Sequence, residues 1–256
     1  AFSFHPLLIG GNPFTATSIY AMIHELEQKF GVWFAMGGTG ALVEALGRLF
    51  SEIGGRILLN SEVAGIVTEN GSARGVVLVD GNRISSDAVV ANSDVASTYL
   101  DLVPKGARKK YTDGRIKRMS YSMSLFVIYF GTDRQYEDIA HHEILMGPRY
   151  RGRFNDIFDS KTLADDFSLY LHRPTATDPS LAPEGCDCWY VLSPVPHLGG
   201  KTDWALEADR YKDKIFAYLE ENYLPGLRRH IVTEMHIDPI YFRNTLNSYL
   251  GSAFSV

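Results

Sequence analysis

A glycine cluster at the mouth of an amphipathic helix, followed by short apolar runs broken at Asn-Gly and Asp-Gly, constrains this chain most. Gly37-Gly38-Thr39-Gly40 precede Leu42, Ala45, Leu46, Leu49 and Phe50, which recur at helical spacing and define a face expected to be buried. Thr39 is the expected cap, and Gly54-Gly55 is the expected stop. Strands are predicted over 56–60, 62–69, 75–79 and 84–91, with Asn70-Gly71 and Asp80-Gly81 turning the chain between them. A helix, a strand and then an antiparallel meander require a mixed α/β or α+β fold.

The rest of the chain alternates in the same way. Residues 1–30 read as helical, interrupted at Gly10-Gly11-Asn12-Pro13, with Ser18 as a cap and Ile19, Met22, Ile23 and Leu26 as an apolar stripe. Apolar runs over 122–131, 167–172 and 189–193 predict three strands of one sheet. A helix is predicted over 208–223, with Tyr211, Ile215, Tyr218 and Leu219 on one face and Pro225-Gly226 as its stop. A strand follows over 230–237, and then a helix with Asp238 as cap and Pro239 at its first position.

Composition narrows the function classes. The 256 residues carry a net charge of −5 with no strongly basic field, which argues against nucleic acid as a partner. Aromatic residues make up 12%, which suits an apolar ligand and equally suits a large core. No apolar run is long enough for a membrane-spanning helix. Cys186 and Cys188 are one residue apart, poor geometry for a disulfide, and they lack the second pair of a zinc site, so they read as reduced thiols.

The candidate motifs do not assemble a catalytic centre by themselves. The glycine cluster has the free N–H groups to cradle an anion, but the position three beyond Gly40 is Val43 and no Lys follows, so neither nucleotide fingerprint is met. A tight helix entry explains it as well. His141-His142 are adjacent, and adjacent side chains are expected to diverge rather than share a metal. They read as surface or hydrogen-bonding histidines, and no metal ligands are assigned. Asp165-Asp166 reads as a solvated turn without a partner. No catalytic residue is assigned.

Longer strings carry a resemblance. They include Ala1-Phe2-Ser3-Phe4-His5, Leu8-Ile9-Gly10-Gly11-Asn12-Pro13, and Gly31-Val32-Trp33-Phe34 running into Gly37-Gly38-Thr39-Gly40-Ala41-Leu42-Val43. Further along come Gly147-Pro148-Arg149-Tyr150, Asp166-Phe167-Ser168-Leu169-Tyr170-Leu171-His172, Ser180-Leu181-Ala182-Pro183-Glu184-Gly185-Cys186, Pro194-Val195-Pro196-His197-Leu198 and Gly251-Ser252-Ala253-Phe254-Ser255. In this order they resemble the bacterial-type phytoene desaturases of the flavin amine-oxidase superfamily across the whole chain. Superfamily members commonly place Pro-x before the glycine pair, whereas here Ala35-Met36 precede Gly37-Gly38.

The resemblance implies an FAD enzyme that desaturates phytoene toward neurosporene or lycopene, with oxygen or a quinone as final electron acceptor. It implies a helical, membrane-associated region over 1–30, part of an FAD-binding Rossmann-like domain over 31–105, and a sheet-and-helix substrate domain over 106–256. Apolar strands near Phe126 and Tyr170 are expected to build the substrate tunnel. It further implies a fragment, lacking the dinucleotide fingerprint at one end and the flavin-covering glycine segment at the other. In the match, Val63 falls beside the adenine with its backbone N–H and C=O reading the base edge. Asn92 falls on the strand that approaches the flavin, where a purely structural role is an equal reading. The expected location is the bacterial cytoplasm, peripheral on the inner membrane, with the basic residues over 105–118 either meeting anionic lipid or forming a solvated loop. The rival readings are another carotenoid desaturase or isomerase, such as a hydroxyneurosporene desaturase, and a non-catalytic apolar-lipid binding module.

Overall fold

The computed structural model describes residues 5–256, with the side chains of Leu8 and Tyr150 excepted. The string Ala1-Phe2-Ser3-Phe4 lies outside the described residues. Among the described residues the α-helices in chain order are α1 (Ala21–Phe30), α2 (Gly38–Glu52), α3 (Val95–Ser97), α4 (Asp113–Ile116), α5 (Tyr150–Phe154), α6 (Trp204–Asn222), α7 (Leu227–His230) and α8 (Pro239–Asn244). A three-stranded sheet contains β1 (Val63–Glu69), β2 (Ser72–Leu78) and β3 (Arg83–Ser85). A five-stranded sheet contains β4 (Ser124–Thr132), β5 (His142–Leu145), β6 (Leu169–His172), β7 (Asp187–Val195) and β8 (Ile231–Ile237), in the order β5-β6-β7-β4-β8. Every strand pair is antiparallel, and the mixed fold class expected from the sequence is the one observed.

The large sheet is built on β4, which β7 pairs along its full length and β8 pairs from Val127 to Thr132. Alternation sends Phe126, Ile128 and Phe130 to one face, where they join Trp189, Val191, Leu169 and Leu171 in the main core. Helix α6 covers that face with Trp204, Ala208, Tyr211, Ile215, Phe216 and Leu219, all buried at helical spacing. Asp203 caps it by accepting from the Ala205 N–H at 3.1 Å. Phe126 lies 5.7 Å from the Trp204 ring and meets the Tyr211 ring edge-on at 5.2 Å. The opposite face is covered at one end only, where Leu125, Val127 and Ile157 pack with Leu192, Ile237 and Phe242. At its other end the sheet is open.

The Asn70-Gly71 turn forms as expected. Both residues have positive φ, 50° and 78°, which matches the right-handed twist of the hairpin it closes. Asp238 and Pro239 also take their expected places at the start of α8, with Asp238 accepting from the Tyr241 N–H at 2.8 Å.

Several local expectations are corrected. Thr39 does not cap α2. The N-cap is Gly37 at φ 83°, and its N–H donates to Asp178 Oδ2 at 2.6 Å, so a distant carboxylate replaces the local hydroxyl. Nor does Ser18 cap α1, whose N-cap is Tyr20. Thr17 instead accepts from Ile19 in the short 3-10 turn before it. Residues 56–60 form no strand, because Asn60 turns the chain at φ 53°. The predicted 84–91 strand is cut short: β3 ends at Ser85, opposite Gly75 at φ 130°, and only the Ser86 N–H reaches further along β2, donating to the Arg74 carbonyl at 3.2 Å. The α2 stripe expected to be buried is exposed at Leu42, Leu46 and Leu49, because no described element packs against it. The α1 stripe at Ile19, Met22 and Leu26 is exposed for the same reason.

Candidate functional site: an aromatic cleft on the open sheet face

The uncovered end of the large sheet forms the floor of a cleft of about 910 Å³. Tyr129, Tyr170, Tyr190 and Met235 rise from four neighbouring strands, and Phe34 and Leu181 approach from segments outside the sheet. Register places them: Tyr129 stands opposite Tyr190 on one side and Met235 on the other. Tyr170 sits one strand further out, its ring 5.6 Å from Tyr190 and edge-on to it.

The cleft is nearly free of charge. Burial pushes the Tyr170 phenol up to about 12, and burial with two neighbouring phenols pushes Tyr190 up further still. Tyr129 is also raised by burial. His172 is pulled down to about 4, first by burial and then by His141 and His142. The one carboxylate on the lining, Glu234, accepts from Lys212 Nζ at 2.6 Å. At neutral pH the lining offers neutral phenols, a thioether, phenyl rings and neutral imidazole. Such a surface suits an apolar, polarisable ligand and stabilises no ion.

The sequence-predicted residues divide between two places. Of the two tunnel residues, Tyr170 lies in the cleft, but Phe126 points to the α6 face and belongs to the core. Val63 begins β1, an edge strand, and lines a second cleft of about 580 Å³ with Ser93, Thr98, Leu102 and Leu198. The Glu62 carbonyl accepts from Val79 N–H at 2.9 Å, so the planar peptide turns the Val63 N–H to the open edge of β1. Asn92 is exposed, next to Ser93 of that cleft. The structure does not bring Asn92 to the aromatic cleft lining.

Tyr129, Tyr190, His172 and Met235 carry no mark in the sequence beyond their alternate positions in apolar strands. That alternation is a readable signal, but which alternating set faces the helix needs the packing of α6. The histidines are a correction. His141 precedes β5 in irregular backbone, so its ring stacks on His142 at 4.2 Å instead of diverging from it. Asp166 is corrected too, since its Oδ1 accepts from Arg149 at 2.7 Å. Cys186 and Cys188 are free thiols, as expected. Among the described residues no helix is long and apolar enough to cross a membrane.

Comparison with known proteins places this geometry. The chain is 49% identical over 257 residues to a lycopene-forming phytoene desaturase from Pantoea ananas, covering 100% of this chain and 52% of that protein. A lycopene-forming phytoene desaturase from Pseudescherichia vulneris is 51% identical over 260 residues, with the same shares. A neurosporene-forming phytoene desaturase from Rhodobacter capsulatus is 44% identical over 262 residues, covering 100% and 50%. The chain thus spans about half the length of the curated relatives it matches. In fold it is similar to an oxidoreductase crystal structure from Methanosarcina mazei, at TM-score 0.65 and 20% identity over 92% of this chain and 51% of that one. Residues 1–225 match the family described as flavin containing amine oxidoreductase, and the chain belongs to that family.

Proposed function

We propose that the enzyme carrying this chain is an FAD-dependent desaturase of phytoene and related C40 carotenoids, extending the polyene toward neurosporene or lycopene. The observation that carries the reading is the uncharged aromatic floor formed by Tyr129, Tyr170 and Tyr190. A polyene has no group to hydrogen-bond, so burial against flat rings is the main means of holding it. The relatives named above are phytoene desaturases, which supports the same substrate class.

The residues present fit FAD at one point. Val63 N–H faces the open edge of β1, where a base edge is readable by backbone alone. Asn92, next to the same cleft, is the second proposed contact. Bound FAD supplies the hydride acceptor for the C–C bond that loses hydrogen. The protein's share is to orient the chain of the substrate and exclude water from the bond that reacts. In this reading residues 31–105 hold the cofactor, residues 106–256 hold the polyene, and residues 1–30 meet the membrane. Oxygen or a quinone takes the electrons onward.

A water-insoluble substrate must be collected from a membrane. The proposed location is the bacterial cytoplasm, peripheral on the inner membrane. Lys109, Lys110, Arg115, Lys117 and Arg118 are exposed and available to anionic lipid. Lys105 is exposed as well but pairs with Asp113 at 3.2 Å, whereas Arg108 is buried and pairs with the same carboxylate at 2.7 Å.

The test is to supply the enzyme with FAD and phytoene-loaded liposomes and record the absorbance of extracted pigment. New long-wavelength bands support the proposal, and their positions count the added double bonds. Unchanged phytoene with FAD bound would sink the phytoene assignment and direct the assay to later carotenoids.

A further inference from the structure

At the edge of the aromatic cleft, sharing His172 with its lining, lies a cluster of three histidines. His142 opens β5, His172 closes β6, and the strand register sets them opposite each other. His141 is held against them because the Arg173 N–H donates to its carbonyl at 2.9 Å. Ring centroids of the three imidazoles are 4.2, 4.8 and 5.1 Å apart, and one ligand atom from each lies within 4.8 Å of the others.

The outer nitrogens are already engaged. His141 Nδ1 bonds Thr177 Oγ1 at 2.5 Å, and His142 Nδ1 bonds the Tyr170 hydroxyl at 2.6 Å. Holding Nδ1 against an oxygen fixes the ring and presents Nε2, the arrangement that metal-ligating histidines use. His141 Nε2 meanwhile lies 2.8 Å from His172 Nε2. Partial desolvation, with neighbouring charge at His141 and His172, lowers the proton affinity of all three imidazoles and favours the neutral form that binds metal. The nearby cation, Arg173, is paired with Asp187 at 3.5 Å. Three neutral nitrogens without a carboxylate favour zinc-class ions over calcium or magnesium.

We propose that His141, His142 and His172 form a binding site for a divalent metal of the zinc class, with water or an exogenous ligand in the fourth position. The inference is independent of the desaturase reading. Metal entry replaces the His141–His172 hydrogen bond and widens that nitrogen pair to about 3.3 Å, the edge of a tetrahedron with bonds of about 2.0–2.1 Å. A second cluster, His5, His24 and Glu27, provides the internal control. There His5 Nε2 already pairs with Glu27 Oε2 at 3.1 Å.

The experiment is calorimetric titration of the chelator-stripped protein with Zn²⁺, alongside the visible spectrum with Co²⁺. One ion per chain with a tetrahedral Co²⁺ spectrum is expected. His172→Gln and His142→Gln abolish both signals, and His24→Gln leaves them unchanged. His142 is exposed, so its variant keeps the fold and the test stays decisive. Tyr170→Phe removes only the hydroxyl behind His142 and weakens Zn²⁺ by about 10–100-fold. The proposal is overturned by no saturable binding, by binding that survives His142→Gln, or by binding that follows His24→Gln.

Discussion

Tyr129 and Tyr190 face each other across two hydrogen-bonded strands with ring centroids 5.4 Å apart, at the uncovered end of the sheet face opposite α6. Tyr129 is 41% exposed, although β4 is otherwise almost wholly buried. An aromatic pair in the middle of a core strand, left open to a cleft, is a binding surface rather than a packing surface.

That placement predicts a separation of affinity from stability. Tyr129→Ala and Tyr190→Ala are expected to raise KM for the liposome-borne polyene by about 2- to 12-fold, from about 0.5–1.5 kcal/mol per ring contact. Steady-state kinetics, with thermal unfolding as the control, checks it. An unchanged KM in both variants would remove these rings from the substrate site.

On the other face of the same strand, the prediction reverses. Phe126 is fully buried between Trp204 and Tyr211, so Phe126→Ala leaves a cavity the core cannot close. Its expected cost is about 3–5 kcal/mol of stability, read from the midpoint shift in urea. A cost below that of Tyr129→Ala would contradict the facing assigned to β4.

The buried carboxylate of Asp187 organises the start of β7. It accepts from Thr175 Oγ1 at 2.6 Å, from the Tyr136 N–H at 2.9 Å and from Arg173 at 3.5 Å. Asp187→Ala strands the buried Arg173 guanidinium and is expected to cost about 3–5 kcal/mol. Denaturant unfolding measures it. Because Arg173 also holds the His141 carbonyl, the same variant is expected to weaken Zn²⁺ binding.

Acid should destabilise the metal-free fold through His172. In the unfolded chain this residue takes a proton near 6.5, but in the fold only near 4, because burial and then His141 and His142 disfavour the charge. Between those values the unfolded state binds more protons, so stability falls as pH drops from about 6.5 to about 4 and this contribution levels off below. His172→Gln should flatten that part of the profile when unfolding is followed with chelator present. A slope unchanged by the substitution would assign it elsewhere.

Gly75 tests the small sheet. It sits at φ 130°, and an added Cβ would lie 2.0 Å from the Ile84 carbonyl oxygen. Gly75→Ala therefore breaks the β2–β3 pairing, and hydrogen exchange at Ser86, whose N–H donates to the Arg74 carbonyl at 3.2 Å, should accelerate while β4 stays protected.

The sequence by itself determined the fold class, the β1–β2 hairpin and the α6 face, because these rest on local signals. Asn70-Gly71 can adopt the positive φ angles of the turn, Asp238-Pro239 can start a helix, and Tyr211, Ile215 and Leu219 recur at helical spacing. Its ordered strings also carried the family resemblance. Tertiary structure alone decided the rest. Alternation splits β4 into two sets but does not say which set meets α6, so Phe126 and Tyr170 could not be assigned to opposite faces from the string. Gly37 takes its partner from Asp178, 141 positions away, and no local rule foresees that. The three histidines meet for the same reason. His172 reaches His141 and His142 only through the β5–β6 register, and long-range pairing is where local propensity ends.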